Sequence, residues 1–182
     1  MKTDDDFEIR LSKAVLRYPR EQDAKAIVRH ANNPKIARYL RDRFPSPYTE
    51  TDGRWLVEEA NAEPQNCVLV IEVDGEAAGA VGFHGQDPND VHRFSGEIGY
   101  WLGEEHWGKG IMTEAVQALT DYGFKSLGIR RVCACVYAPN SASAKVLEKS
   151  GYEFEGKMRS AVFKNGELLD ALLYAKISDA CH

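Results

Sequence analysis

The apolar positions of this chain follow two rhythms, one of period two and one near 3.6, that alternate along its length. "KAVLRYP" alternates like a first strand, and "REQDAKAIVRHANN" follows with helical spacing at Ala26, Ile27 and Ala31. Pro34 breaks that helix, and "PKIARYLRDRFPSPY" runs into a Pro-rich turn. "TETDGRWLVEEAN" predicts a further helix with Thr49 or Thr51 as its N-cap. "NCVLVIEVDGEAAGAVGFHG" reads as two strands joined at Asp74-Gly75, a strong hairpin signal. A polar loop, "QDPNDVHRF", leads into the strand "SGEIGYWLG". Ile111, Met112, Ala115, Val116, Leu119, Tyr122 and Phe124 then repeat like a long amphipathic helix. "RRVCACVY" reads as a buried strand, and "NSASAKVLEKSG" as a short helix closed by Gly151. "YEFEGKMRSAVFKNGELLDALLYAKI" finishes as a hairpin turning at Asn165-Gly166. There is no internal repeat, linker or low-complexity tract. The pattern predicts one α/β domain over 1–182, with a mixed, largely antiparallel sheet flanked by helices.

Composition narrows the function classes. Hydrophobic residues make up 43% of the 182, an ordinary globular share, and the length suits one core. The formal net charge of −5 argues against nucleic acid as the main ligand, because nucleic-acid binders carry a basic surplus. No apolar run is long enough to span a bilayer, and "MKTDDDFE" has no apolar signal region, so a cytoplasmic protein is expected. Four cysteines occur, Cys67, Cys133, Cys135 and Cys181. Cys133 and Cys135 lie two apart in a strand and share a face, which makes them poor disulfide partners. No second Cys or His pair completes a zinc site, so reduced core thiols and no metal are expected.

The stretch "GEEHWGKGIMTEA" carries the most specific chemistry. Its Gly-x-x-x-x-Gly-Lys spacing resembles a nucleotide hydrolase loop, but Gly110 stands where a Ser or Thr would hold magnesium. The next hydrophobic strand ends in Ala138-Pro139-Asn140 without the acidic residue that such enzymes need for the metal. Glu104 and Glu105 would also repel a triphosphate. A Rossmann-type reading fails too, for want of Gly-x-Gly-x-x-Gly and a parallel βαβ start. Two readings of the loop remain open. Gly108 and Gly110 let the backbone approach a ligand, Lys109 adds charge, and the helix from about Ile111 offers free N–H groups, which together make a diphosphate cradle. The other reading is an ordinary tight turn.

"EIGYWL", "HWGKGIMTEAV" and "VYAPNSASAKVLEKSGY" together resemble the GNAT acyl-CoA N-acyltransferases, in particular the RimJ/RimL type. The resemblance covers about Ala14 to Lys176, with the motifs in family order. It implies a GNAT-like sheet in which the strand before the loop splays from the next one. It implies acetyl-CoA as co-substrate, its pyrophosphate on the loop at Trp107, Gly108, Lys109, Gly110 and Ile111, and its pantetheine arm in the splay. Trp101 and Leu102 are placed on the cofactor side in the same way, and Asn140 against the pantetheine. The family usually has Gln or Arg where this chain has Glu105. That carboxylate is expected to point to solvent, leaving the diphosphate to the backbone amides.

Acetyl transfer needs a neutral amine. An α-amine titrates near ~7.7–8.0 and a lysine near ~10.4, so deprotonating lysine at pH 7 costs roughly 3.5 kcal/mol more. A modest base suffices for an α-amine. By resemblance that base is Glu97, in the strand entering the splay; read without the family, Glu97 is a strand carboxylate facing solvent. Tyr100 and Trp101 follow on alternate faces, as acceptor-site walls or as core. Ser143 inherits the task of hydrogen-bonding or protonating the departing sulfur, although Asn140 and Ser143 are also ordinary helix-start residues. The five histidines do not cluster in sequence, and His84, His92 and His106 read as loop or strand-end residues. Nothing in sequence activates Cys133 or Cys135 as nucleophiles. The expectation is therefore an N-acetyltransferase acting in a ternary complex on a primary amine, either a protein N-terminus or a small molecule, as monomer or homodimer. The alternative is a CoA-binding module with a dead acceptor site.

Overall fold

The structure, a computed structural model, describes residues 7–62, 67–84, 87 and 89–179. Eight strands make one sheet: β1 Glu8–Arg10, β2 Val15–Arg17, β3 Val68–Val73, β4 Glu76–His84, β5 Ser95–Leu102, β6 Arg131–Tyr137, β7 Glu153–Lys164 and β8 Glu167–Ile177. Their spatial order is β1-β2-β3-β4-β5-β6-β8-β7, antiparallel except between β5 and β6. The helices are α1 Ala24–Ala31, α2 Pro34–Ala37, α3 Glu50–Ala62, α4 Ile111–Ser126 and α5 Ser141–Lys149. The mixed, mostly antiparallel sheet flanked by helices is the architecture expected.

Local chemistry sets most of these boundaries. Asp74 and Gly75 both have positive φ (51° and 83°), as do Asn165 and Gly166 (51° and 85°), so both hairpins close with the turn whose twist suits the flanking strands. Pro34 opens α2 rather than merely ending α1, and the Asn33 side chain caps it by accepting from the Lys35 amide. Thr49 stands just before α3, with its amide and hydroxyl both donating to the Asp52 carboxylate, while Thr51 lies inside the helix. Strand β1 was not anticipated. Its three residues, Glu-Ile-Arg, are too few for a readable alternation, and only their pairing with Val15–Arg17 makes them a strand.

The period-two alternation sorts side chains to the two faces. Leu69, Ile71, Val81, Phe83 and Ile98 bury with Val116 and Leu119 of α4 and Leu147 of α5. On the opposite face Val70, Ala77, Ala80 and Trp101 bury with Ile27 of α1, Ile36 of α2 and Val57 of α3. Strand β5 therefore has helices over both faces and sits centrally. No helix among the described residues is long and apolar enough to cross a membrane.

The cysteines depart from expectation. Cys67 is a buried thiol, but Cys133 is half-buried and Cys135 exposed, because Val132, Ala134 and Val136 take the core face of β6 and the cysteines take the other. "RRVCACVY" is thus buried on one face only. Cys181 lies outside the described residues.

Candidate active site

Strand β5 pairs with β4 over Glu97–Leu102 but with β6 only over Ser95–Glu97, opposite Arg131–Cys133. Beyond Glu97 the two strands part. A cavity of about 1360 Å³ opens at the parting, walled by β5, the loop after it, the start of α5 and the segment between α2 and α3. Glu97, Tyr100, Trp101, Leu102, Trp107, Gly108, Gly110, Ile111, Asn140 and Ser143 all line it. Lys109 is not in the wall, and its carbonyl accepts from the Lys13 ammonium.

At one end the loop presents backbone. Gly108 (φ 73°) and Gly110 (φ 83°) occupy the left-handed region, and a Cβ built on either meets no protein atom within 4 Å. The conformation is one that other residues resist, and the space beside it is open. The first bond of α4 is Glu114 N–H to the Gly110 carbonyl, so among the described residues the amides of 108–113 have no protein acceptor. Free amides at the positive end of a 16-residue helix form an anion nest, and the residues present fit a diphosphate. Trp107 braces the loop: its indole N–H donates to the Leu102 carbonyl at 2.7 Å, and its ring stays 45% exposed.

Glu105 was expected to point to solvent, and its side chain is 64% exposed, but it also reaches two histidines. Its carboxylate lies 3.1 Å from His30 Nδ1 and 3.6 Å from His106 Nε2. The His30 and His106 rings are 5.7 Å apart, so two of the histidines do cluster, contrary to expectation. Their positions 76 residues apart hid this. Burial, helped by Arg29, holds the His30 imidazole below its usual range. Glu104 turns outward to Lys35 and Asn33.

Midway, the Tyr100 hydroxyl of β5 and Ser143 Oγ of α5 share a 2.8 Å hydrogen bond. Burial pushes the Tyr100 phenol up to about 12, so it remains protonated and can pass a hydrogen bond to Ser143. From sequence Tyr100 is either an acceptor-site wall or core, and its hydrogen bond to Ser143 is a feature that neither reading contains. Asn140 caps α5, with its Oδ1 accepting from the Ser143 amide at 3.2 Å, and the residue lines the cavity. Trp101 lies on the opposite face of β5 from Tyr100 and packs edge-on against Phe44, their centroids 5.8 Å apart.

At the far end stands Glu97, 31% exposed, receiving a hydrogen bond of 2.5 Å from Arg41 Nη2. His84 is its neighbour on β4, directly opposite in register. Burial first and the Arg43 charge second lower His84 to about 4, so it is a neutral imidazole near neutral pH. Burial raises the thiols of Cys133 and Cys135, which face this end from β6. His84, expected as a loop or strand-end residue, does end β4, and it lines the cavity together with Arg41 and Arg43.

An amide nest that fits a diphosphate, a gap between strands and a carboxylate at its far end suit a long thioester and an amine. Comparison with known proteins agrees. A family model described as an acetyltransferase (GNAT) domain matches residues 13–153. The N-acetyltransferase p20 of Bacillus licheniformis is 30% identical over 169 residues, covering 90% of this chain and 92% of that protein. The spermidine N(1)-acetyltransferase of Escherichia coli is 27% identical over 157 residues, covering 86% of this chain and 82% of its own. A solved RimL ribosomal-protein alpha-N-acetyltransferase in complex with coenzyme A superposes with a TM-score of 0.84 at 27% identity, covering 96% of this chain and 99% of that one. Those matches span the loop, the parted strands and the helix start alike, so the chain belongs to the GNAT family and is an N-acetyltransferase that uses acetyl-CoA.

Proposed function

We propose that the protein acetylates a primary amine by direct attack within a ternary complex, as one cytoplasmic catalytic domain. The observation that carries this is the β5–β6 gap, which runs from unpaired amides at 108–113 to the Glu97 carboxylate. The loop amides and the helix start hold the diphosphate, and the Asn140 NH2 donates to a pantetheine carbonyl. Glu97 takes a proton from the acceptor ammonium, directly or through one water. The freed nitrogen lone pair forms the amide bond to the acetyl carbon as the carbon–sulfur bond breaks, and the second nitrogen proton passes to the thiolate or to water. Ser143, held by Tyr100, hydrogen-bonds or protonates the departing sulfur. The raised Cys133 and Cys135 thiols are poor nucleophiles at neutral pH, which supports direct attack over an acetyl-cysteine route.

The alternative, a CoA-binding module without catalysis, is separated by one experiment. Acetyl-CoA is offered with N-terminal peptides, polyamines and amino acids, and free thiol is measured alongside the acetylated product. Amine-dependent release supports the enzyme. Tight CoA binding with no release for any amine supports the module.

Ser143→Ala is expected to slow transfer by no more than about tenfold, since one neutral hydrogen bond is worth about 0.5–1.5 kcal/mol and a thiolate already leaves readily. Tyr100→Phe should lose a similar factor by releasing the serine rotamer. Melting curves accompany both variants, because Ser143 sits in the first turn of α5. If Ser143→Ala turns over at the wild-type rate, the serine only serves the helix start and water protonates the sulfur.

A further inference from the structure

We propose that the preferred acceptor carries a carboxylate as well as its amine, and that Arg41 recognises it by letting go of Glu97. This rests on the acetyltransferase reading above, with Glu97 as proton acceptor. Arg41 comes from the segment between α2 and α3 and meets Glu97 from 56 residues away in the chain. The pair therefore bridges two walls of the cavity. While it stands, one Glu97 oxygen is occupied and a positive charge sits where an ammonium must arrive, and both oppose proton transfer.

The pair is also poised to exchange. The Arg41 side chain is 58% exposed, and an ion pair this open to water is worth little. A guanidinium binds a carboxylate through two parallel N–H groups wherever one is offered in the right plane. Arg43, two residues on, lines the same cavity and makes no ion pair among the described residues. Lys35 and Arg38 line it from the same stretch, a local basic strip in a chain of net charge −5. Of the α3 carboxylates lining the cavity, Asp52 is engaged by Thr49, which leaves Glu59 as the acidic counterpart. A carboxylate on the acceptor draws Arg41 away, anchors beside Arg43, and frees Glu97 to take the ammonium proton. A neutral amine must break the ion pair unaided. Arg41 is thus a positioning residue that couples recognition of the acceptor to unmasking of the base.

The required chemistry, an amine and a carboxylate in one molecule, occurs both in free amino acids and in acidic N-terminal peptides, so the test has two arms. One compares δ-aminovalerate with its amide; the other compares peptides beginning Ser-Asp with peptides beginning Ser-Asn. Each pair keeps the amine nearly constant and removes one negative charge. In at least one arm the wild-type enzyme should favour the acid about tenfold or more in kcat/KM, and the arm that shows it identifies the source. Arg41→Gln should erase that preference by raising KM for the acid about ten- to hundredfold, while kcat for the amide rises because Glu97 is no longer paired. Arg41→Lys, which keeps the charge and loses the fork, should retain part of the preference.

Equal kcat/KM for acid and amide in both arms, or an acid preference that Arg41→Gln leaves intact, overturns the proposal. If no amine of either kind drives thiol release, the acetyltransferase reading itself falls, and the proposal with it.

Discussion

Glu97→Gln is expected to lower kcat by about 10²–10⁴-fold while leaving CoA affinity nearly unchanged, because a positioned base contributes in that range. The substitution is close in shape, and β4 and β6 flank Glu97 on both sides, so the backbone has little reason to move. The ion pair with Arg41 is lost, which costs about 0–1 kcal/mol for a pair this exposed. The measurement is steady-state acetylation between pH 6 and 9, with CoA binding followed by calorimetry. A variant that keeps most of the wild-type rate across that range would move the base to His84. That imidazole is already neutral and faces the same end of the cavity. His84→Gln would then carry the loss.

The second large effect belongs to Gly108. Gly108→Val should weaken CoA binding about 10- to 150-fold, as the loop amides lose one charge-assisted contact worth about 1.5–3 kcal/mol. The cause is twofold. A β-branched residue resists φ 73°, and its side chain would extend into space that is empty of protein atoms. Nothing in the fold is pushed, so the loss falls on the ligand rather than on the core. Unchanged CoA affinity in a variant with a wild-type melting curve would assign the loop to turn geometry alone.

How far these two sites could be read from sequence differs for a physical reason. The loop glycines, the α4 stripe and both hairpins are written in neighbouring residues: Asp74-Gly75 and Asn165-Gly166 specify their turns unaided. The central sheet follows from such local signals, and the parting of β5 from β6 followed from the likeness of "EIGYWL" and "HWGKGIMTEAV" to a known family. Arg41 is different. It lies in "RYLRDRF", a stretch with no periodicity, and its meaning comes from a carboxylate 56 residues later. The Tyr100–Ser143 bond spans 43 residues, and the His30–Glu105 contact joins α1 to the loop. The cysteines were misplaced because a strand of small apolar residues does not announce that only one of its faces is covered.

The short β5–β6 ladder has a consequence for cooperativity. Within the sheet, three residue pairs alone join the block β1–β5 to the block β6–β8. Outside those pairs, the Phe94 carbonyl accepts from the Arg130 and Arg131 amides, Tyr100 bonds Ser143, Lys164 pairs with Asp42, and α4 and α5 pack their side chains between the blocks. Such a seam lets each block open on its own, and amide hydrogen exchange should report two levels of protection rather than one. Acetyl-CoA lying in the seam would touch both blocks at once. Its binding should raise the slower and the faster set of amides together, turning two cooperative units into one.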